Sequence, residues 1–151
     1  MRPINEIIIH CTDTPITMDI GAAKIDEWHK EKGWDCVGYH FVVKLNGEIE
    51  PGRAIDKVGA HCKWHNKYTI GICYVGGRVV SNGKVSFQDT RTPEQIRSLY
   101  LLVKFLLHCY PSITKVSGHN DYSLKKCPCF DVHAEFDQIV ERYRANMARY
   151  S

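Results

Sequence analysis

No stretch of this 151-residue chain stays apolar for long. Met1 to Glu6 leads into only three consecutive isoleucines, far short of the roughly 20 residues of a membrane span and of the apolar core of a signal peptide. The expectation is a chain made in the cytoplasm that does not insert into membranes. A long Lys/Arg cluster is missing too. Twenty basic against 17 acidic residues leave a formal charge of +3, too mild and too scattered for a nucleic-acid partner. Repeats, low-complexity runs and linkers are absent, which excludes solenoids and multidomain arrays. The seven cysteines are an odd number and cannot all pair within the chain, so a disulfide scaffold is not expected and most should be small buried hydrophobes.

What remains is ordinary for one globular domain. With 44% hydrophobic and 25% charged residues, residues 1–151 suit a single unit able to bury about two-thirds of its unfolded surface. Glu6 to His10 reads as a buried strand. Thr17 to Lys32 reads as a helix, with Ala22, Ile25, Trp28 and His29 at helical spacing, ended by Gly33. Val37 to Lys44 and Glu48 to Glu50 flank Asn46-Gly47, a hairpin signal. Gly52 to Lys67 has no period and reads as a long loop of the kind that carries recognition groups. Thr69 to Val75 returns to strand, and Arg78 to Arg91, with turn residues at Asn82-Gly83, reads as a surface excursion.

Thr92-Pro93-Glu94-Gln95 opens a capped helix whose apolar stripe is Ile96, Leu99, Val103, Leu106 and Tyr110, stopped by Pro111. Lys115 to Ser117 makes a short strand, and Asp131 leads a terminal amphipathic helix over 132–149. The order predicts an α/β domain, α+β on some classifications, with a mixed central sheet flanked by helices.

Three scattered pieces carry chemistry: Ile9-His10-Cys11-Thr12, Val37-Gly38-Tyr39-His40-Phe41, and His119 followed eight positions later by Cys127-Pro128-Cys129. Nitrogen and sulfur donors of the two-His-one-Cys type suit a zinc ion with one open position, which can activate water. The His119 to Cys127 interval is too long for a zinc finger. Cys127-Pro128-Cys129 lacks the two-residue separation of thioredoxin-type dithiols, and on spacing either cysteine could ligate. Strand alternation sends Tyr39 and His40 to opposite faces, so only one can share the pocket.

These pieces, together with Trp28-His29-Lys30 through Gly33-Trp34, Val58-Gly59-Ala60-His61, Ile70 through Gly77 and Lys125 through Asp131, resemble the zinc N-acetylmuramoyl-L-alanine amidases. That family includes amidase-type phage lysozymes and peptidoglycan recognition proteins. The resemblance runs in order over nearly the whole chain. It implies zinc held by His10, His119 and Cys127, with Tyr39 and Lys125 as catalytic residues. It also implies hydrolysis of the amide joining N-acetylmuramic acid to L-alanine in peptidoglycan. At neutral pH free tyrosine and lysine are protonated, so both should act first as hydrogen-bond donors. Cys129 stands where relatives carry a small residue other than cysteine.

In the long loop His61 is the candidate substrate contact, beside Trp64, His65 and Asn66. The implied partner is peptidoglycan or a muropeptide, and a monomer is expected. A wall-degrading enzyme without an export signal points to a phage or prophage endolysin that reaches the wall after release. A recycling enzyme on cytoplasmic muropeptides and a non-catalytic recognition module are the other readings.

Overall fold

In the computed structural model, which describes residues 1–150, β1 (Glu6–Cys11) and β5 (Thr69–Tyr74) form the centre of a five-stranded sheet. Every residue of both strands is buried, the polar Glu6, His10 and Thr69 included, so neither shows the alternation of a half-buried strand. β1 pairs in parallel with β5 on one side and with β8 (Lys115–Gly118) on the other. β3 (Phe41–Val43) pairs in parallel with β5, and β4 (Ile49–Pro51) closes the edge antiparallel to β3 across the Asn46-Gly47 turn. The result is the mixed sheet that the sequence predicts, within one α/β domain.

Two layers cover it. On one face Ile7, Ile9, Ile70 and Ile72 pack with α2 (Pro93–Cys109) and α3 (Val132–Arg149) through Leu99, Val103, Leu106, Phe136 and Val140. On the other, Val42 and Val75 meet Ile25 of α1 (Ala22–Glu31). The capping box at Thr92 forms as expected, with Thr92 Oγ1 accepting from Gln95 N and Gln95 Oε1 accepting from Thr92 N. The apolar stripe of α2 differs in part. Ile96 is 40% exposed, whereas Leu102 and Leu107 are buried. Gln95 is also buried, its amide donating to the carbonyls of Val43 and Val75.

Three other segments depart from expectation. The first helix starts at Ala22 rather than Thr17, because Ala22 N–H is capped by the Glu50 carboxylate and residues 16–21 form a turn and an extended lead. The strand expected over Val37 to Lys44 is paired only over 41–43, since Val37 N and Gly38 N donate to the side chains of Asp26 and His29 and Gly71 N donates to the His40 ring rather than to a strand carbonyl. The surface excursion is a second sheet. β6 (Gly77–Ser81) and β7 (Lys84–Phe87) form a hairpin through Asn82-Gly83, both at positive φ as a primed turn requires, and β6 pairs with β2 (Thr14–Pro15). No helix among the described residues is long and apolar enough to cross a membrane.

Candidate metal centre and active site

Parallel pairing of β1 and β8 brings two distant histidines together. Ile9 lies opposite Gly118, so His10 and His119, each one residue further on, leave the ends of adjacent strands with ring centroids 4.7 Å apart. The loop after a single 3-10 turn (His119–Asp121) returns Cys127 to the end of β1, where the amide of Cys11 donates to Cys127 Sγ at 3.2 Å. Donor atoms of His10, His119 and Cys127 all lie within 4.8 Å of one another. Metal bonds of about 2.0–2.3 Å are compatible with that spacing after a small closure.

The hydrogen bonds around His10 fix which of its nitrogens is free. Thr69 Oγ1 donates to the His65 carbonyl at 2.7 Å, so it accepts from His61 Nε2 at 3.2 Å. His61 Nδ1 is then the acceptor of the 2.9 Å bond from His10 Nε2. His10 Nδ1 is left with its lone pair for a cation. Outer hydrogen bonds of this kind orient a ligating imidazole and set its tautomer. Burial holds His10 well below its ordinary pKa, helped by His61, His119 and Lys125, and burial likewise lowers His61 and His119. All three are neutral at pH 7, the form that binds metal. Two nitrogens and one sulfur, with the remaining side open to a cavity, suit a metal ion with an exchangeable position.

That cavity, of about 710 Å³, is lined on the ligand side by Cys11, Thr12, Tyr39, His119, Lys125 and Cys127. Trp28, His29 and Lys32 of α1 and Phe87 of β7 form other parts of its wall. Tyr39 packs 5.1 Å from the His10 ring. Burial pushes its phenol well above the usual value, so it stays protonated. His40 does not line the cavity and packs 5.9 Å from the His61 ring, its Nδ1 accepting from Gly71 N and its Nε2 donating to the Lys57 carbonyl. Tyr39 is thus the member of the pair that enters the cavity. Lys125 is exposed on the cavity wall, and its charge reaches both His10 and His119. Cys129 Sγ turns away to the Gly77 carbonyl, which leaves Cys127 as the cysteine of the donor set.

His61 needs correction as a substrate contact. It is buried behind His10, between that ring and Thr69, and does not line the cavity. The loop bends inward because the Asn66 side chain accepts from the amides of both His61 and Cys62. Two contributors escaped the sequence reading. Thr69 was only the start of a strand. His29 stands in the helical stripe and in a stretch that carries the resemblance, with no role assigned to it, yet it lines the cavity with Nδ1 accepting from Gly38 N at 2.8 Å, so its Nε2 carries the proton. No spacing ties His29 to Gly38, and only the fold joins them.

An α/β domain in which the buried His10 and the half-buried His119 and Cys127 converge beside a cavity with a protonated tyrosine and a lysine defines a hydrolase-type centre. Comparison with known proteins makes this specific. The model of the N-acetylmuramoyl-L-alanine amidase family matches residues 1–130, and the chain belongs to that family. It is 38% identical over 128 residues to an endolysin of Enterobacteria phage K11, covering 85% of this chain and 82% of the relative. It is 40% identical over 126 residues to the endolysin of Escherichia phage T7, covering 83% and 81%. Among solved structures, the N-acetylmuramoyl-L-alanine amidase LysC from Clostridium intestinale URNW aligns with a TM-score of 0.73 and 29% identity over 97% of this chain and 87% of that one.

Proposed function

We propose that this protein is a phage-type or prophage endolysin that hydrolyses the amide between N-acetylmuramic acid and L-alanine of peptidoglycan. In this reading zinc is held by His10, His119 and Cys127. The convergence of these three donors, two of them on the wall of a cavity that also presents Tyr39 and Lys125, carries the reading. Family membership and the endolysin relatives support it.

Bound zinc would polarise the scissile carbonyl and lower the pKa of a coordinated water toward neutrality. The chain supplies the rest. His61 and Thr69 hold the His10 ring so that Nδ1 faces inward. Lys125 places an ammonium where negative charge develops on the carbonyl oxygen, and preorganised charge of this kind stabilises a tetrahedral intermediate. Tyr39, kept protonated by burial, orients water or a substrate oxygen by donation. The Cys127 thiolate leaves less positive charge at the centre than a third histidine would, so the activity optimum lies at or slightly above neutral pH. The enzyme acts as a monomer and reaches the wall after release from the cell.

The test is incubation of zinc-loaded protein with intact peptidoglycan, with products identified by mass spectrometry beside a Cys127→Ala control. Stem peptides beginning with a free L-alanine amine, absent from the control, are expected. Zinc-dependent wall binding without cleavage would replace this reading by a recognition module.

A further inference from the structure

The small second sheet has no part in the chemistry proposed above, yet one end of it reaches the cavity. β1 ends at Cys11, and the chain turns through Thr12 and Asp13 into β2. Both turn residues line the cavity, as does Phe87 at the end of β7. Asp13 has a φ of 59°, uncommon for a residue with a side chain. Its neighbours hold it there: Thr12 N donates to the Tyr74 carbonyl, Thr14 N to the Gly76 carbonyl, and Gly76 N to Thr12 Oγ1 at 2.9 Å. The hairpin then sets Arg78 of β6 directly opposite Phe87, on the same face of the sheet. Arg78 Nε and Nη2 each stand 3.4 Å from a carboxylate oxygen of Asp13. A carboxylate, a guanidinium and an aromatic ring thus form one cluster at the cavity edge.

We propose that Asp13, Arg78 and Phe87 form a glycan subsite, which takes the sugar on the acyl side of the scissile amide. The proposal rests on the amidase reading above and deepens it. The cluster has capacity to spare. Its ion-pair contacts are longer than the roughly 2.7–2.9 Å of a tight charge-assisted bond, and a carboxylate can accept at about four positions. Phe87 is 42% exposed and belongs to neither apolar core, so folding leaves much of its ring uncovered. A pyranose fits this combination. Its C–H face can lie on the electron-rich face of the ring, while its rim hydroxyls donate to Asp13 and accept from Arg78. The carboxylates of a peptide would meet the Asp13 charge instead. A few fixed polar groups beside an aromatic wall are what orient a ligand in a cleft. The β6/β7 hairpin is then the element that distinguishes glycan-linked peptides from free lactyl peptides.

The experiment compares two substrates with the same lactyl–L-alanine amide: a muropeptide carrying its sugars, and an N-lactoyl peptide of the same sequence without them. Zinc-loaded full-length protein is assayed on both beside Phe87→Ala, Phe87→Tyr and Asp13→Asn, asparagine being tolerant of a positive φ. In Phe87→Ala the ratio of kcat/KM, sugar-bearing over sugar-free, is expected to fall about tenfold, through KM. Asp13→Asn should lower it less, and Phe87→Tyr should restore it. Equal loss on both substrates would make the ring merely structural and overturns the proposal. So does an unchanged ratio, or a rising one, which would put the peptide on this wall. Failure of the amidase reading is read separately, because a wild type that cleaves neither substrate refutes the hydrolysis. Where either substrate is cleaved too slowly for a ratio, NMR titration with the peptide-free disaccharide of N-acetylglucosamine and N-acetylmuramic acid decides the subsite. Binding weakened by Phe87→Ala and restored by Phe87→Tyr upholds it, whereas no binding by the wild type, or equal binding by all, overturns it.

Discussion

Ile9 and His10 are adjacent on β1 and enter two different interiors. Ile9 joins the hydrocarbon of α2 and α3, where Leu99, Leu106 and Phe136 are as deeply buried as the strand itself. His10 enters the opposite side, where His29, His40 and His61 are buried with it and hydrogen bonds hold His10 Nε2, His29 Nδ1 and both ring nitrogens of His40 and His61. One face of the sheet is held by apolar burial, which is insensitive to direction. The other is held by donors and acceptors whose positions must match. Changes on the first face should therefore act on stability alone, and changes on the second on metal binding, chemistry and pH response.

The largest effect expected is at the donor set. Cys127→Ala removes the sulfur donor from a half-buried loop position, so the fold should persist while amide hydrolysis falls. Metal-assisted charge stabilisation contributes several kcal/mol, so the loss should be about 10³-fold or more. Peptidoglycan turnover measured beside far-UV circular dichroism checks this, and retained turnover would mean that the centre is elsewhere. The matched change on the apolar face is Phe136→Ala, at a ring only 1% exposed. It should cost about 3–5 kcal/mol in urea unfolding and leave the rate per folded molecule unchanged. A large change in that rate would break the separation of the two faces.

A change behind the donor set sharpens the comparison. His61→Ala leaves His10 Nε2 without its acceptor and should weaken zinc binding by about 10–100-fold, the usual cost of losing an outer hydrogen bond to a ligand. Competition with a zinc chelator measures it. Unchanged affinity would return His61 to a purely structural role.

The same division explains what could be read from the sequence. The apolar face has periodicity to read: the capping box at Thr92 and the α3 boundaries behind Asp131 are as the sequence predicts, and the buried strand β1 starts at Glu6 as predicted and runs one residue past His10. Ile96 is exposed because the buried stripe of α2 runs through Leu99, Leu102, Val103, Leu106 and Leu107. On the histidine face the chemistry-bearing residues were visible as residue types and by resemblance, but their partners were not. The His10, His61 and Thr69 relay spans two strands and a loop without a period, and no local rule couples them. The β6/β7 hairpin had its signal, Asn82-Gly83 between valines, but both strands are short and β7 is exposed throughout, so the alternation of a half-buried strand is missing.

Acid should separate the faces next. Burial lowers His40 to about 4, and its two hydrogen bonds, at Gly71 N and the Lys57 carbonyl, suit the neutral ring. The unfolded chain takes up that proton near pH 6.5. Stability is therefore full above about pH 6.5 and falls as the pH drops toward 4, with His40 alone responsible for about 3 kcal/mol across the window. Urea unfolding at stepped pH should show the decline, and His40→Gln should flatten part of it. An identical slope in the variant would remove His40 from the account.

The smallest effect has the opposite sign and lies outside both faces. On the first turn of α3, His133 Nδ1 and Nε2 stand 2.9 Å and 2.6 Å from the carboxylates of Asp137 and Asp121, which raise its pKa, Asp137 foremost. A raised value means that the folded protein holds the proton more tightly than the unfolded chain. The stabilisation is complete below about pH 6.5 and is lost as the pH rises through the higher folded value. Solvent screens a pair this exposed, so only a slight fall in Tm above neutrality is expected. His133→Gln should remove that fall while leaving the acid limb of His40 intact. Because Asp121 also accepts from Gly118 N, the residue before ligand His119, a loss of zinc affinity in the same variant would show that this surface network reaches the donor set, and unchanged affinity would confine it to the helix.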